Sequence, residues 1–286
     1  MIAPSEPSQT GHAPRDFSTV SPSAKWLLLL KAQTNLPFAR QAAELLWGAD
    51  AIEAARREAI SASAHLSKGA LFVEGRRRHF ESRAQSLDQA LHDLGATRVL
   101  EVAAGLSFRG LAMAAQRQDV FYLDTDLPGI AELKADLIAK LHPSPLAGTL
   151  RVQALDALDA EAFRAAIRAF PPGAITIAHE GLLMYLDEAE KVRFAAGVRE
   201  ALLARGGAWV TGDVYVQSDP TLLRNVVRDE RTKKFLEEHR VEENKFTSFE
   251  AAETFFTAQG FTITNKLRAS DDPWHIRETW ILSARA

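Results

Sequence analysis

The stretch RVLEVAAGLSFRGLAMAAQ, residues 98–116, followed by VFYLDTDLP, residues 120–128, decides the fold. Arg98–Ala103 is a short β-rich run that opens into a turn of small residues ending at Gly105. An alanine-rich run of helical character follows. A second β-rich run, Val120–Leu123, ends in acidic residues and leads into another helical run. This alternation of strand and helix predicts a parallel sheet that is covered by helices on both faces.

The same alternation continues towards the end of the chain. Further strands are predicted at Thr149–Gln153, Ala174–Ala178 and Gly207–Thr211, with helices between them. The last two β-rich runs are Phe261–Thr264 and Thr279–Leu282. Their connection is too short for a helical crossover, so the two strands should pair antiparallel. The sequence therefore predicts a mostly parallel sheet that ends in an antiparallel pair.

Three regions are predicted along the chain. Residues 1–20 are interpreted as a flexible tail, because they begin with a polar stretch rich in proline and serine. Apolar residues at helical spacing predict a helical extension over residues 21–94, with breaks at Trp47-Gly48 and at Ser67–Gly69. Residues 95–286 form the predicted core domain.

The composition limits the possible partners. The 286 residues are 47% hydrophobic and 25% charged, as in ordinary soluble domains, and contain no cysteine. A net charge of −3 gives no general attraction to nucleic acid or to an anionic membrane. The apolar run Trp26–Leu30 is far shorter than the roughly 20 residues of a membrane span. We expect a cytoplasmic protein without nucleic-acid or membrane partners. Its oligomeric state is unknown, and no metal-binding motif is recognised.

The turn from Glu101 to Ser107 is the first candidate ligand site. It follows the first strand at the edge where open α/β sheets bind ligands, and small residues such as Ala103 and Gly105 let a ligand approach the backbone. The next helix supplies free N–H groups there. A tight connection without a ligand explains the segment equally well. The turn is also not the G-x-G-x-x-G pattern of dinucleotide-binding proteins.

Acidic residues strengthen the hypothesis of a cofactor site. Asp124 and Asp126 end the second strand about 20 residues beyond the turn, the separation at which a carboxylate reaches ribose hydroxyls. One of them could instead cap the helix at Leu127. Asp156-Ala157, after the third strand, could contact an adenine ring, with a helix cap as the alternative. Glu180 follows a buried strand and must find partners or face a cleft. His179 is interpreted either as a site residue or as a hydrogen-bonded core histidine.

Four segments resemble motifs of one known family. Leu100–Arg109 is similar to its L-G-A-G-L-D-T-R segment, and Phe121–Pro128 with the later Lys134 resembles F-Y-E-V-D-L-P with a following lysine. Glu180–Leu186 is similar to E-G-L-L-M-Y-L, and Arg83–Asp88 resembles R-T-R-F-I-D. The sequence thus resembles the leucine carboxyl methyltransferase-like group, which includes O-methyltransferases assigned to polyketide biosynthesis. The resemblance extends over residues 21–214.

This resemblance implies a fold, a cofactor and site residues. The fold is the class I methyltransferase fold: a doubly wound, Rossmann-like α/β sheet of seven strands, mostly parallel with an antiparallel last strand, plus the N-terminal helical extension. The implied cofactor is S-adenosylmethionine, with S-adenosylhomocysteine as product, and the implied activity is O-methylation of a carboxylate or hydroxyl on a small-molecule or peptide acceptor. The cofactor-binding residues that the resemblance implies are Arg83, Gly105, Asp126, Asp156, Ala157 and Glu180. The turn and the second strand end add Glu101, Ala103 and Asp124 as candidates. Arg83 would pair with the methionine carboxylate, unless it forms only a surface ion pair.

Two departures from the family lie in the cofactor segment. Ser107-Phe108 replace the Asp-Thr that precedes the arginine. Ala103 replaces the first glycine, so its methyl group narrows the approach to the methionine portion of the cofactor. If the backbone there has a positive φ, alanine is strained. A catalytically inactive or repurposed S-adenosylmethionine-binding protein is therefore one alternative. A nicotinamide-dependent oxidoreductase is another, because such enzymes also combine a glycine turn with an acidic residue after the second strand.

The acceptor side is less defined by the sequence. Tyr185 and His179 are the proposed catalytic residues, with Tyr215 and Asp213 as further candidates. The N-terminal helices could form a lid in which Lys25 or Lys31 meets an acidic substrate. The charged stretch from Leu223 to Lys245 is predicted to be a solvated helix and loop.

Overall fold

The computed structural model describes residues 27–62, 69–142, 144–218, 230–268 and 276–286. The predicted tail over residues 1–20 and Lys25 therefore lie outside the described residues, as does most of the predicted break at Ser67–Gly69. A short helical segment spans residues 27–31. It precedes three helices, α1 (Ala39–Trp47), α2 (Ala49–Ala62) and α3 (Gly69–Asp93). The predicted break at Gly48 is confirmed, because this residue ends α1 with φ 81°.

Strands and helices then alternate along the chain. They are β1 (Arg98–Val102), α4 (Arg109–Gln116), β2 (Phe121–Asp126), α5 (Pro128–Leu141), β3 (Thr149–Ala154), α6 (Ala160–Arg168), β4 (Ile175–His179), a 3-10 helix (Leu183–Tyr185), α7 (Glu188–Arg205), β5 (Gly207–Tyr215), α8 (Glu230–Glu238), α9 (Phe249–Ala258), β6 (Phe261–Leu267) and β7 (Arg277–Ala284).

The seven strands form one sheet in the order β3-β2-β1-β4-β5-β7-β6. Neighbouring strands from β3 to β5 are parallel. Strand β7 lies between β5 and β6 and is antiparallel to both. The predicted sheet and its antiparallel terminal pair are confirmed. The reversed β7 also distinguishes this sheet from the doubly wound dinucleotide-binding sheet with strand order 3-2-1-4-5-6.

Hydrophobic residues cover both faces of the sheet, because successive side chains of a strand point to opposite sides. On one face, Leu100 and Trp209 pack with residues of α6, α7 and α9. On the other face, Val99 and Val210 pack with α3 and α4. Burying each large apolar side chain stabilises the fold by about 1.5–3 kcal/mol. The division into an extension (21–94) and a core (95–286) stays a prediction, although α3 packs directly on the sheet.

Helix α9 is absent from the sequence-based prediction. Its beginning carries a usable signal, because the Ser248 hydroxyl accepts a hydrogen bond from the Ala251 nitrogen at 3.1 Å and so caps the helix. The helix buries Phe255 and Phe256 in the core. Within the predicted charged stretch, α8 is helical. Among the described residues, no helix has both the length and the hydrophobicity that crossing a lipid bilayer requires.

Candidate functional site

A solvent-open cleft of about 1040 Å³ lies at the carboxyl ends of β1 to β4. Parallel strands bring their carboxyl ends to one edge of the sheet, so the loops that follow them share this cleft. The helical segment 27–31 and α3 complete its walls. The predicted site residues that line the cleft are Arg83, Ala103, Gly105, Asp126, Asp156, Ala157, Glu180 and Tyr185.

The loop after β1 is a tight left-handed turn. Ala103 has φ 51° and Gly105 has φ 55°. Glycine adopts this conformation freely, whereas an alanine pays about 1–2 kcal/mol for it. The strain expected at Ala103 is therefore present. The Ala104 nitrogen donates to the Thr125 carbonyl at 2.9 Å, which ties this loop to β2.

Asp126 connects that loop to the next helix. Its Oδ2 accepts a hydrogen bond from the Gly105 nitrogen at 2.7 Å, and its Oδ1 accepts one from the Leu127 nitrogen at 2.8 Å. Burial raises the pKa of Asp126, although these two N–H groups oppose the rise. The sequence assigned ligand binding and the contact at Leu127 to two different aspartates. Asp126 both lines the cleft and accepts from the Leu127 nitrogen, and neither aspartate side chain caps α5.

Glu180 is the centre of a buried charge cluster. Its Oε1 accepts hydrogen bonds from Arg83 Nε at 2.8 Å and from Lys31 Nζ at 3.2 Å, and its Oε2 accepts one from Arg109 Nη2 at 3.2 Å. Burial raises the pKa of the Glu180 carboxyl, but the three cations lower it by more and hold it well below its usual range. Arg83 is 4% exposed, so the alternative of a surface ion pair is wrong.

Lys31 sits between this anion and two other cations. It is buried, and burial together with Arg83 and Arg109 lowers the pKa of its ammonium more than Glu180 raises it. Among the described residues, Glu180 is the carboxylate that pairs with Lys31. Lys31 therefore faces the cleft as part of a protein ion pair, and it connects the segment 27–31 to the loop after β4.

Arg109 was given no role in the sequence interpretation, yet it links three carboxylates. Its guanidinium contacts Glu180, Glu101 and Asp88. The signal in the sequence is its place at the first position of α4, directly after the small-residue loop. A guanidinium has five N–H donors, which lets one side chain hold several carboxylates together.

Asp156 and Ala157 lie at the opposite end of the cleft. Asp156 Oδ1 accepts a hydrogen bond from the Leu158 nitrogen at 2.9 Å. The alternative that Asp156 caps the following helix is wrong, because Asp159 accepts from the first N–H groups of α6. The buried side chains Leu155 and Ile130 form an apolar wall beside it.

Two predicted cofactor-binding carboxylates lie outside the cleft. Glu101 is fully buried in the sheet, where it accepts hydrogen bonds from Tyr122 Oη at 2.6 Å and from Arg109. Asp124 is buried beside Lys134, whose Nζ lies 2.5 Å from Asp124 Oδ2. Burial outweighs the lysine and raises the pKa of Asp124 to about 7. Neither side chain lines the cleft, because each is buried and paired with a cation of the helix that follows its strand, so the structure corrects their prediction as direct ligand contacts.

His179, one of the two predicted catalytic residues, also lies outside the cleft. It is fully buried, its ring packs against Phe194 and Trp209, and its Nδ1 lies 3.1 Å from Asp213 Oδ2. The core-histidine alternative describes this environment. Tyr185 does line the cleft. Its ring meets the rings of Phe235 and His239 edge-on, with 6.2 Å between the ring centroids in each pair.

The remaining acceptor-side candidates are also placed away from the opening. The Tyr215 hydroxyl lies 3.0 Å from His79 Nε2, and burial raises its pKa. Neither Tyr215 nor Asp213 lines the cleft. Over the described ranges, no group of three or more histidine, aspartate or glutamate side chains is placed to hold a metal ion.

Comparison with known proteins finds similar structures but no similar sequences of known family. No family model matches the sequence, and no curated protein matches it. A DUF574 family protein from Streptomyces avermitilis MA-4680 has a similar structure, with a TM-score of 0.54 and 12% identity over 92% of this chain and 97% of that one. A protein from Thermobifida fusca YX, provisionally named a methyltransferase, gives a TM-score of 0.53 and 16% identity over 92% and 94%.

A third structure in the comparison contains a bound cofactor product. It is magnesium protoporphyrin IX methyltransferase from Synechocystis PCC 6803 with S-adenosylhomocysteine, with a TM-score of 0.49 and 9% identity over 73% of this chain and 86% of that one. At these identities the likeness concerns the fold. Together with the strand order and the reversed β7, the two structures with TM-scores of 0.54 and 0.53 show that this chain has the class I methyltransferase fold.

Proposed function

We propose that this chain is an S-adenosylmethionine-dependent O-methyltransferase of the leucine carboxyl methyltransferase-like group. Its acceptor is a carboxylate or hydroxyl of a small molecule or peptide. One observation carries the proposal: a single cleft combines a fixed carboxylate, an apolar wall and a buried charge cluster. These three parts correspond to the ribose, the adenine and the amino-acid portion of the cofactor.

The ribose end is supported by Asp126. Each of its carboxylate oxygens already accepts one backbone N–H, from Gly105 or Leu127, which fixes the orientation of the group. A carboxylate oxygen has a second acceptor position, so the two ribose hydroxyls can donate to Asp126 without breaking these bonds. The adenine would lie against Leu155 and Ile130, with Asp156 as acceptor for its amino group.

The methionine end is supported by the charge cluster. A methionine carboxylate needs cations, and Arg83 and Lys31 line the cleft. A methionine ammonium needs an anion, and Glu180 is the carboxylate of that wall. The residues present therefore fit both charges of the amino-acid group.

The chain's own contribution to the reaction is orientation and the exclusion of water. When bound, S-adenosylmethionine supplies a methyl group already activated on its sulfonium sulfur. Leu28, Leu182 and Met184 give the cleft an apolar wall that keeps water away from the reacting atoms. Tyr185 is the proposed acceptor-side residue. A carboxylate acceptor needs no general base, whereas a hydroxyl acceptor benefits from one.

Ala103 favours the inactive alternative more than any other residue, because its methyl group stands in the cofactor loop with φ 51°. The observed turn nevertheless keeps the Gly105 nitrogen on Asp126, so the alanine does not disturb the arrangement that we propose for the ribose. The nicotinamide alternative is disfavoured by the reversed β7 and by the missing G-x-G-x-x-G turn.

Calorimetry with S-adenosylmethionine, S-adenosylhomocysteine and NADH tests the proposal. Wild type should bind both adenosyl ligands, and Asp126→Ala should weaken them about 10–100-fold, since hydrogen bonds to a charged group contribute about 1.5–3 kcal/mol. The matched control is Asp136→Ala, an exposed aspartate of α5, which should leave the affinity unchanged. Binding of NADH alone would contradict the proposal.

Turnover separates the enzyme from the inactive alternative. Consumption of S-adenosylmethionine should be measured with a panel of carboxylic acids, phenols and peptides, and the products identified by mass spectrometry. A methyl ester or methyl ether supports the proposed activity. Tight cofactor binding without turnover across the panel would favour the repurposed cofactor-binding protein.

A further inference from the structure

Asp213 lies outside the cleft but holds the loop that forms one of its walls. It is 1% exposed and belongs to β5. Its carboxylate accepts hydrogen bonds from the backbone nitrogens of three consecutive residues, Gly181, Leu182 and Leu183. It also contacts His179 Nδ1 at 3.1 Å. An ionised carboxylate only accepts, so His179 is the donor in this bond.

The shape of β5 brings Asp213 to this position. The pairing of β5 with β7 shifts register between Thr211 and Val214, a β-bulge that re-aims the side chains between them. Gly212 lies against the end of β4: a Cβ at this residue would stand 3.3 Å from the His179 carbonyl oxygen and 3.8 Å from Glu180 Cα. The bulge and the small residue together let the carboxylate reach the loop.

The loop held by Asp213 carries both Glu180 and Tyr185. It turns at Gly181, which has φ 80°, and then enters the 3-10 helix whose first N–H groups point to Asp213. Buried N–H groups without an acceptor are costly, so three of them fix the loop on one carboxylate. Burial raises the pKa of Asp213, but the His179 contact, Arg83 and the Leu182 N–H lower it by more. Asp213 is thus a stable anion.

We propose that Asp213 is a positioning residue for the amino-acid end of the cofactor: through the loop after β4 it sets where Glu180, and with it Arg83 and Lys31, faces the cleft. This inference rests on the proposed function. The Asp213 carboxylate hydrogen-bonds to residues at the end of β4 and in the loop that follows it, whereas the Asp126 and Asp156 loops would hold the nucleoside. Its loss should therefore affect one end of the ligand and spare the other.

Two ligands separate the two ends. S-adenosylhomocysteine has both the nucleoside and the amino-acid group, whereas 5′-methylthioadenosine lacks the amino-acid group. Asp213→Asn keeps the shape but turns one acceptor into a donor that faces N–H groups. By calorimetry, S-adenosylhomocysteine should bind about tenfold more weakly or worse, and methylthioadenosine should stay within about twofold. A general loss of folding would weaken both ligands alike.

The matched control is Ile175→Val. Ile175 is 1% exposed and begins β4, at the end of the strand remote from Glu180. The substitution removes one buried methylene and destabilises β4, the strand that leads into the loop held by Asp213. It should lower the melting temperature while leaving the affinities for both ligands unchanged.

A double-variant cycle tests whether Asp213 acts through Glu180. Glu180→Gln alone should weaken S-adenosylhomocysteine. On that background, Asp213→Asn should add much less than it does in wild type, because residues that act through one another are not additive. Full additivity, an equal loss of both ligands, or an unchanged affinity for S-adenosylhomocysteine would each overturn the inference.

A second variant and the binding of wild type separate the remaining outcomes. If Asp213→Asn yields no folded protein, His179→Leu is the second variant, because it removes one of the four donors to Asp213 and keeps the carboxylate. It should weaken the binding of S-adenosylhomocysteine more than that of methylthioadenosine. Equal losses of affinity for the two ligands would overturn the inference. If wild type fails to bind S-adenosylhomocysteine, the proposed function falls as well. If wild type binds it and both variants match wild type, only the role of Asp213 is refuted.

Discussion

Asp126 Oδ2 accepts a hydrogen bond from the Gly105 nitrogen over 2.7 Å, and this bond joins the end of β2 to the loop after β1. The loop carries two residues in the left-handed conformation, Ala103 and Gly105. The carboxylate and the loop therefore fix each other's position. The strained residue Ala103 lies in the loop that this hydrogen bond holds.

Ala103→Gly should stabilise the protein. The left-handed conformation costs an alanine about 1–2 kcal/mol, and a glycine recovers this but loses about 0.5–1 kcal/mol through the greater freedom of the unfolded chain. We expect a net gain of about 0.5–1 kcal/mol in the free energy of unfolding in urea. Affinity for S-adenosylhomocysteine should stay equal or increase.

The reciprocal variant Gly105→Ala is the control, because it places a side chain at φ 55°. The same two terms then act in the opposite direction, so it should cost about 0.5–1 kcal/mol. If Ala103→Gly destabilises the protein as an ordinary alanine-to-glycine change does, the left-handed backbone at residue 103 is incorrect.

Lys134→Met should strongly destabilise the protein, since it leaves the Asp124 carboxylate buried without its cation. Breaking a buried ion pair on one side costs about 3–5 kcal/mol, whereas replacing both partners is often neutral. Denaturant unfolding should therefore show a large loss for Lys134→Met and substantial recovery in Lys134→Met with Asp124→Leu.

The cost of Lys134→Met should also grow as the pH rises above about 7, because at lower pH Asp124 is largely protonated in both folded proteins. The folded pKa of Asp124, already raised to about 7, rises further without the lysine, while the unfolded value stays near about 3.9. A carboxyl whose folded pKa exceeds its unfolded pKa loses stability as the pH rises. A cost that is independent of pH would contradict this account.

Arg109→Lys should not be conservative. An ammonium cannot reproduce the fork by which Arg109 contacts Asp88, Glu101 and Glu180. We expect a loss of several kcal/mol, about the size found for a broken buried pair, together with weaker binding of S-adenosylhomocysteine. Arg117→Lys is the matched control, because its pair with Asp119 is exposed and should change stability by less than about 1 kcal/mol.

Lys31→Met should loosen the chain around residues 28–34. The backbone nitrogens of Ala32, Gln33 and Thr34 donate to carbonyls three or four residues earlier, and the Lys31–Glu180 bond holds this turn on the core. Amide hydrogen exchange of these three residues should accelerate about tenfold, the effect of about 1.4 kcal/mol. Arg40→Met, which removes an exposed pair with Glu44, should leave the exchange unchanged.

The sequence was informative wherever a residue acts through its place at a strand end. Asp126, Asp156 and Glu180 each follow a strand of the parallel sheet, and the topology alone brings such positions to one cleft. The sequence was uninformative wherever a side chain pairs with a residue that is far away along the chain. Asp124 and Asp126 look alike in the sequence. Only the packing of α5 shows that Lys134 forms its ion pair with Asp124.

Distant partners also explain the reassignment of His179 and Glu101. His179 ends β4, but its acceptor Asp213 lies 34 residues further along the chain, behind a β-bulge that no periodicity reveals. Glu101 is satisfied by Tyr122 and Arg109, one from a neighbouring strand and one from the following helix. Such pairings depend on side-chain direction within the folded sheet.

The position of β7 has a consequence for synthesis on the ribosome. In the sheet, β6 pairs with β7 and lies at the edge, whereas β7 is the interior strand that also pairs with β5. During translation β6 emerges before β7, so it has no native partner strand until β7 is released and pairs with both β5 and β6. Until then the edge of β5 that pairs with β7 remains open in the nascent chain. This interval is the stage at which the protein should be most prone to aggregation and most dependent on chaperones.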